Sequence, residues 1–214
     1  MVKRIELEPT PRRRRRREDS EQEILEAAER LLSERPFREL TVDDLMAATT
    51  QSRTAFYRHF TGRQDLLIRL LSDLNQELWA VSEGWFQGSG DPLVEAREAL
   101  QRLADVYEAH GAVLLAMAEA AHHDDDVERV YNGLVQGFAD GVVARLRRDA
   151  AAGRASVPYP GEVATALVWM TERHLAVTFG RPGTGAAERA AAVEALYTIW
   201  TRTLYGADAA AAGG

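Results

Sequence analysis

One short stretch of the chain concentrates hydrogen-bonding side chains on one side of a predicted helix. The apolar side of this helix carries Ala55, Phe56 and Phe60 at helical spacing. The other side and its approach carry Gln51, Ser52, Arg53, Thr54, Tyr57 and Arg58. Such side chains pair with base edges in the major groove of DNA or with its phosphates. The pattern favours a helix that reads DNA, although short paired helices also occur in helical proteins without this function.

Two short helices with a polar turn between them would position this face. Thr41 is the predicted cap of a helix that ends near Ala48, and Ser52 is the predicted cap of the next helix. Residues 49–51, which join them, are Thr-Thr-Gln. The arrangement is that of a helix-turn-helix, whose second helix enters the major groove.

A longer helix is predicted on each side of this pair. Ser20 with Glu23 has the pattern of a capping box at the start of the first, and an apolar stripe follows it. Thr61 with Gln64 is the predicted start of the other. A glycine-containing loop is expected at 83–92, where that helix has ended.

The remainder of the chain has helical periodicity and no strand pattern, so the expected fold class is all-α. A helix-turn-helix unit of three helices would precede a larger helical body. The predicted helices of that body cover residues 92–109, 111–121, 125–150, 160–180 and 186–205.

Charge is unevenly distributed along the 214 residues. The net charge is −7, yet residues 1–63 hold 14 Lys and Arg against 12 Asp and Glu. Six consecutive arginines occupy Arg12–Arg17, in a tail that is predicted to be disordered and to add a salt-dependent DNA contact. The predicted division is 1–19 for this basic tail, 20–66 for the helix-turn-helix domain, 67–206 for the helical body and 207–214 for a flexible end.

Composition excludes several other classes of protein. The absence of cysteine excludes disulfides, thiolate metal sites and a cysteine nucleophile. His122–Asp126 could suggest a metal site, but adjacent histidines converge poorly and Asp is a natural helix cap, so we expect neither a metal nor another cofactor. No apolar run is long enough for a membrane span, and a cytoplasmic protein with no membrane partner is expected.

Three segments in the first third of the chain together resemble a known family. They are Thr41-Val-Asp-Asp-Leu45, Ser52-Arg-Thr-Ala-Phe-Tyr-Arg-His-Phe60 and Arg63-x-x-Leu66-Leu67. In order, spacing and residue type they resemble the N-terminal domain of the TetR family of transcriptional regulators. The family usually has Gly-Val in the turn where this chain has Thr50 and Gln51. Thr50 is therefore expected to adopt a costlier backbone conformation, or the turn to differ, and Gln51 is expected to face outward.

The resemblance implies separate roles for the residues around the turn. Thr41 and its helix start would hold a phosphate. Tyr57, His59 and Arg63 would clamp phosphates. The alternative for Tyr57 is a packing aromatic with its hydroxyl in water, and the alternative for His59 is a cap at the helix end. Gln51, Arg53 and Thr54 are expected to contact base edges, with Ser52 at the entrance of the helix. Arg58 could contact either phosphates or base edges.

The C-terminal helices resemble the EthR-type branch of the same family, through Ala164-Thr-Ala-Leu167, Met170-x-Glu-Arg173 and Ile199-Trp200 before Leu204-Tyr-Gly206. That branch binds an apolar small molecule in a tunnel within these helices, whereas ordinary core packing is the alternative for each aromatic residue. Carried onto this chain, the lining would be Leu103, Tyr107, Val135, Phe138, Val142, Val168, Thr171, Glu172 and Trp200.

Two of these positions, Val168 and Thr171, are usually more polar in the branch, so a more apolar pocket is expected. Glu172 would either pair with Arg173 or orient the ligand. The resemblance also implies a homodimer through the helices at 160–180 and 186–205.

These expectations combine into one functional hypothesis with three alternatives. The hypothesis is a dimeric repressor, not an enzyme, that an apolar small molecule releases from a palindromic double-stranded DNA operator. The alternatives are an activator or a repressor without a ligand, a helical enzyme with a structural N-terminal module, and a nonspecific DNA binder.

Overall fold

The computed structural model describes residues 11–180 and 183–206, and those residues form helices and connecting turns without a strand. The predicted all-α class is confirmed. The predictions for residues 1–10 and 207–214 lie outside the described residues. The α-helices are α1 Pro11–Glu34, α2 Val42–Ala47, α3 Arg53–His59, α4 Arg63–Gln87, α5 Pro92–Ala120, α6 Asp125–Ala151, α7 Pro160–Phe179 and α8 Ala186–Tyr205, with a 3₁₀ turn at Phe37–Glu39 between α1 and α2.

The first helix begins at Pro11, so the prediction of a disordered segment up to residue 19 is wrong for its described part. Proline is well suited to the first turn of a helix, and arginine is a good helix former, so the basic run extends the helix. Ser20 and Glu23 therefore lie inside α1 and do not form the predicted capping box. Their side chains bond instead to Gln51 and Thr50.

Two predicted helix boundaries change because of tertiary packing. Helix α4 continues through the predicted loop to Gln87, since Trp85 and Phe86 on this extension are buried. Gly111 does not break α5; a Cβ there would lie 2.6 Å from the backbone of Phe179. Gly111 is thus a point of close approach between helices, and the two helices predicted at 92–109 and 111–121 are one.

The helix caps predicted from the sequence agree with the structure better than these helix boundaries do. Thr41 accepts from the backbone N–H of Asp44, whose carboxylate accepts in return, and the two form a capping box at the start of α2. Ser52 caps α3 as predicted. Asp124 caps α6 within the histidine-aspartate stretch. At the start of α4, Thr61 pairs with the carboxylate of Asp65 rather than with Gln64.

The chain divides into two compact units between Leu66 and Leu67, inside α4. In the first unit, α1, α2 and α3 pack on one another around the fully buried Ile24, Leu45 and Phe56. In the second unit, α7 packs against α5, α6 and α8. None of the described helices is long and apolar enough to cross a membrane.

A buried ionic network joins α5, α6 and α8 in the second unit. The side chains of Arg145 and Asp149 are fully buried, and Arg145 Nε donates to Asp149 Oδ2 at 2.8 Å. Arg145 Nη1 also donates to Glu95 Oε2 at 2.8 Å. Asp149 further accepts from Arg154 Nη2 at 2.6 Å and from the Tyr205 hydroxyl at 2.9 Å. Each buried charge therefore has an opposite charge beside it, as burial requires.

Candidate functional sites: a helix-turn-helix face and an apolar cavity

The turn between α2 and α3 is held by a carboxylate from α1. Glu23 accepts from the backbone N–H of Thr50 at 2.6 Å, from the Thr50 hydroxyl at 3.0 Å and from the Gln51 amide. These hydrogen bonds lower the pKa of Glu23, and the one from the Thr50 backbone has the largest effect. Thr50 is not among the described residues of positive φ. The turn therefore differs from one that needs glycine, because side-chain bonds to α1 stabilise it.

Gln51 faces α1, which corrects the expectation that it faces outward. Its Oε1 accepts from the Ser20 hydroxyl at 2.8 Å, and its amide nitrogen donates to Glu23. Both ends of the side chain are thus occupied, and Gln51 does not present its amide to a base edge in this conformation.

The outward side of α3 is a polar, exposed surface. Ser52, Arg53, Thr54, Tyr57 and Arg58 are all exposed, and 53% of Tyr57 is accessible to solvent. The Tyr57 ring packs edge to face on Phe56, with centroids 5.3 Å apart, while more than half of the residue remains exposed, so the contact leaves Tyr57 accessible on this surface. We call these five residues the α3 face.

An exposed ion pair connects the α3 face to α2. Arg53 Nη1 lies 2.8 Å from Asp43 Oδ1, and both side chains are more than half exposed. Such pairs are weak because water screens them. The guanidinium can therefore exchange Asp43 for a stronger acceptor such as a base edge or a phosphate.

Two of the three residues predicted to clamp phosphates are used inside the first unit. The side chain of His59 is fully buried, with Nδ1 3.6 Å from a Glu21 carboxylate oxygen. Burial lowers the pKa of His59, and the positive charge of Arg58 lowers it further. Arg63 Nη1 donates to the carbonyls of Phe37 and Leu40. His59 and Arg63 are thus engaged within the first unit, and Tyr57 is the exposed member of the predicted clamp.

The second unit contains a cavity bounded by α4 to α8. Its volume is about 90 Å³. Roughly 10–15 Å³ holds one water, so the space exceeds a packing defect. All nine residues predicted to line a pocket line this cavity. The full lining is Leu78, Ser82, Trp85, Phe86, Ala96, Ala99, Leu100, Leu103, Tyr107, Leu134, Val135, Phe138, Val142, Val168, Thr171, Glu172 and Trp200.

Aromatic rings next to alanines keep this space open. The Trp79 and Phe138 rings stack with centroids 4.7 Å apart, and Trp85 meets Trp200 edge to face at 5.6 Å. Ala96 and Ala99 also line the cavity, and their small side chains leave space beside the rings. Sequence reasoning missed Trp85 and Phe86 on α4 because it placed a loop at residues 83–92.

The hydrogen-bond donors of two lining side chains are occupied within the protein. Trp200 Nε1 donates to Thr171 Oγ1 at 2.8 Å. The Ser82 hydroxyl donates to the carbonyl of Leu78 at 2.8 Å. The wall formed by these residues is therefore less polar toward the cavity than their types suggest.

Glu172 is the exception on the cavity wall. It is only 8% exposed, and among the described residues no donor reaches either carboxylate oxygen with good hydrogen-bond geometry, although the Tyr131 hydroxyl lies close enough to interact with it. Its neighbour Arg173 is exposed, so the predicted Glu–Arg hydrogen-bonded pair is absent from this part of the chain. Burial raises the pKa of Glu172, and the nearby Tyr131 and Arg173 oppose that shift only in part.

The two units match two family models. Residues 24–70 match the family described as bacterial regulatory proteins, tetR family. Residues 96–206, more than half of the chain, match the transcriptional regulator EthR, C-terminal domain. Both families comprise transcriptional regulators rather than enzymes. The protein is a DNA-binding transcriptional regulator, and it belongs to the TetR family, in the EthR-like branch.

Individual relatives agree with this assignment. The chain is 28% identical to the HTH-type transcriptional regulator EthR of Mycolicibacterium smegmatis over 195 residues, covering 90% of this chain and 89% of the relative. It is 28% identical to EthR of Mycobacterium tuberculosis over 196 residues, covering 90% of each chain.

Solved structures show the same fold at lower identity. Salmonella enterica GusR aligns with a TM-score of 0.70 at 18% identity, covering 87% of this chain and 95% of that one. The regulatory protein TetR from Rhodobacter sphaeroides aligns with a TM-score of 0.68 at 17% identity, covering 86% of this chain and 98% of that one.

Proposed function

We propose that this regulator is a cytoplasmic, homodimeric repressor that an apolar small molecule releases from a palindromic operator. The observation that carries the ligand response is the cavity in the second unit. It is lined mainly by apolar and aromatic side chains around a single carboxylate. Ligand sites in proteins typically combine an apolar wall with a few polar groups that orient the ligand.

The α3 face is the proposed surface for reading the operator. Arg53 and Thr54 begin the helix, and the N-terminal residues of a recognition helix reach base edges. Tyr57 and Arg58 follow on the same exposed side, where they would bind phosphates or bases. Thr41, exposed at the start of α2, would add a phosphate contact. Gln51, His59 and Arg63 would act indirectly, by holding α3 in place.

The proposed dimer interface uses α7 and α8. Large apolar side chains remain exposed on these helices, with Trp169 36%, Val177 54% and Ile199 42% accessible. A second copy related by a two-fold axis would cover them. Two α3 helices would then read two half-sites about one DNA turn apart, which requires a palindromic operator.

The proposed coupling is a shift between two populations of the dimer. Helix α4 contains the boundary of the two units and also contributes Leu78, Ser82, Trp85 and Phe86 to the cavity. A ligand that fits the cavity better when α4 has moved would stabilise dimers whose α3 helices no longer match successive grooves.

The test is a salt-titrated binding assay with the full chain. DNA from upstream of its own gene is compared with scrambled DNA, and Arg53→Ala is compared with Arg147→Ala. Arg147 is an exposed arginine on α6 and is not one of the α3-face residues, so its replacement removes the same charge without changing that face. A preference for the upstream DNA at physiological salt, lost in Arg53→Ala and kept in Arg147→Ala, is expected. Equal loss of binding to both DNAs as salt rises would instead indicate a nonspecific binder.

A reporter gene under the same upstream DNA separates repression from activation. Deletion of the regulator should raise expression of a repressed reporter. A fall in expression would assign the protein as an activator and overturn the repressor proposal.

A further inference from the structure

We infer that the cavity selects ligands that carry a cationic, N–H-donating head on an apolar chain, as in a protonated aliphatic amine, with Glu172 as the acceptor. The inference rests on the proposed ligand response and names its chemical class. Its starting point is Glu172, a side chain that is more than nine-tenths buried and lines a cavity. Among the described residues no cation pairs with it and no donor reaches its oxygens with good hydrogen-bond geometry, although the Tyr131 hydroxyl lies nearby.

Burying a carboxylate in this position costs free energy unless another group pairs or hydrogen-bonds with it. A buried charge without a partner is strongly disfavoured. The protein supplies no cation to the lining, because Glu172 is the one charged side chain among the described residues that form it. Arg173, next in the chain, is exposed.

Two hydrogen-bond donors on the wall are already engaged within the protein. The Trp200 indole N–H bonds to Thr171, and the Ser82 hydroxyl bonds to a carbonyl of its own helix. The lining thus leaves an acceptor open. A ligand that brings N–H donors completes both oxygens, whereas a neutral apolar ligand would bury the carboxylate further without a partner.

The electrostatics around Glu172 select the charge of that donor. The aromatic neighbours Tyr107 and Tyr131 are buried, and burial followed by the charge of Glu172 raises the pKa of each phenol. They therefore remain neutral and cannot add negative charge. A cation gains from the carboxylate and from the faces of aromatic rings on the wall. An anionic head would meet like charge without a compensating cation.

The experiment uses three eight-carbon probes with different heads, namely octylamine, 1-octanol and octanoate, titrated against the full-length protein at pH 7. At this pH the amine is protonated and the acid is ionised. Quenching of tryptophan fluorescence reports binding, because Trp85 and Trp200 line the cavity. Octylamine is expected to bind about tenfold more tightly than 1-octanol, the scale of a hydrogen bond to a charged group. Octanoate should bind most weakly.

Two variants assign this preference to the buried carboxylate. Glu172→Gln should remove the preference for octylamine over 1-octanol, and a cooperative thermal unfolding transition shows that the variant is folded. Glu162→Gln is the matched control, because Glu162 is exposed in the first turn of the same helix. It should preserve the preference.

The outcomes separate the inference from the proposed ligand response. If 1-octanol binds as well as octylamine, or the preference survives in Glu172→Gln, the cavity binds ligands but the inference is overturned. If none of the three probes binds, the inference fails together with the ligand response, while the operator assay still tests DNA recognition.

Discussion

The buried ionic network predicts a large loss of stability when Asp149 is replaced by Asn. The change keeps the shape of the side chain but removes its charge. Arg145 would then keep Glu95 as its acidic neighbour, while its buried Nε–H would lose a charged acceptor. Removing one partner of a buried ion pair costs about 3–5 kcal/mol. Because Glu95 remains, we expect about 3 kcal/mol, at the lower end of that range.

The measurement is urea unfolding at pH 7, followed by circular dichroism. The midpoint should fall while the slope stays the same, since the surface exposed on unfolding is unchanged. Asp126→Asn is the matched control, because Asp126 pairs with Arg129 on the same helix but is 76% exposed. The control should leave the midpoint unchanged. A loss of less than about 1 kcal/mol in Asp149→Asn would refute the reasoning that the network is a buried, charge-balanced unit.

The same carboxylate predicts an acid-dependent part of the stability. Burial by itself would raise the pKa of Asp149, but hydrogen bonds from Arg145, Arg154 and Tyr205 bring it below its ordinary value. A carboxylate whose pKa is lowered in the folded state stabilises above its unfolded pKa, and that stability is lost as the pH falls through the folded pKa. The wild-type free energy of unfolding should therefore fall below about pH 4 more steeply than that of Asp149→Asn. Parallel pH profiles would contradict this assignment.

Two further substitutions test the packing of each unit. Gly111→Ala should lower the free energy of unfolding in urea by about 1–3 kcal/mol, because the new Cβ meets backbone at the end of α7. The control Gly133→Ala, on the exposed side of α6, should be neutral or stabilising. A neutral Gly111→Ala would mean that α5 and α7 can separate without cost. Glu23→Gln should lower both the midpoint of thermal unfolding and the affinity for the operator, because it weakens the hydrogen bonds that hold the turn and Gln51. The control Glu26→Gln, at an exposed position on the same helix, should change neither. Unchanged operator affinity in Glu23→Gln would show that α3 does not depend on this turn.

Local chemistry was sufficient to predict the helix-turn-helix pattern. Thr41 and Ser52 cap their helices through atoms within three residues of themselves, so the sequence pattern is also the structural cause. The alternation of apolar and polar residues likewise predicted that Phe56 is buried and Tyr57 is exposed. The residues of the cavity on α5 to α8 were implied by family resemblance rather than by spacing.

Contacts between residues far apart in the chain decided the rest. Gln51 turns inward because Ser20 and Glu23, about thirty residues earlier, bond to both ends of its amide. Gly111 lies within a continuous helix because α7 approaches it closely. Among the described residues Glu172 has no ion-pair partner, because Arg173, its neighbour in sequence, lies on the exposed side of the same helix. Sequence by itself determined the elements whose stabilising partners are one turn away. Tertiary structure alone decided which polar groups are satisfied, because that depends on atoms brought together only by folding.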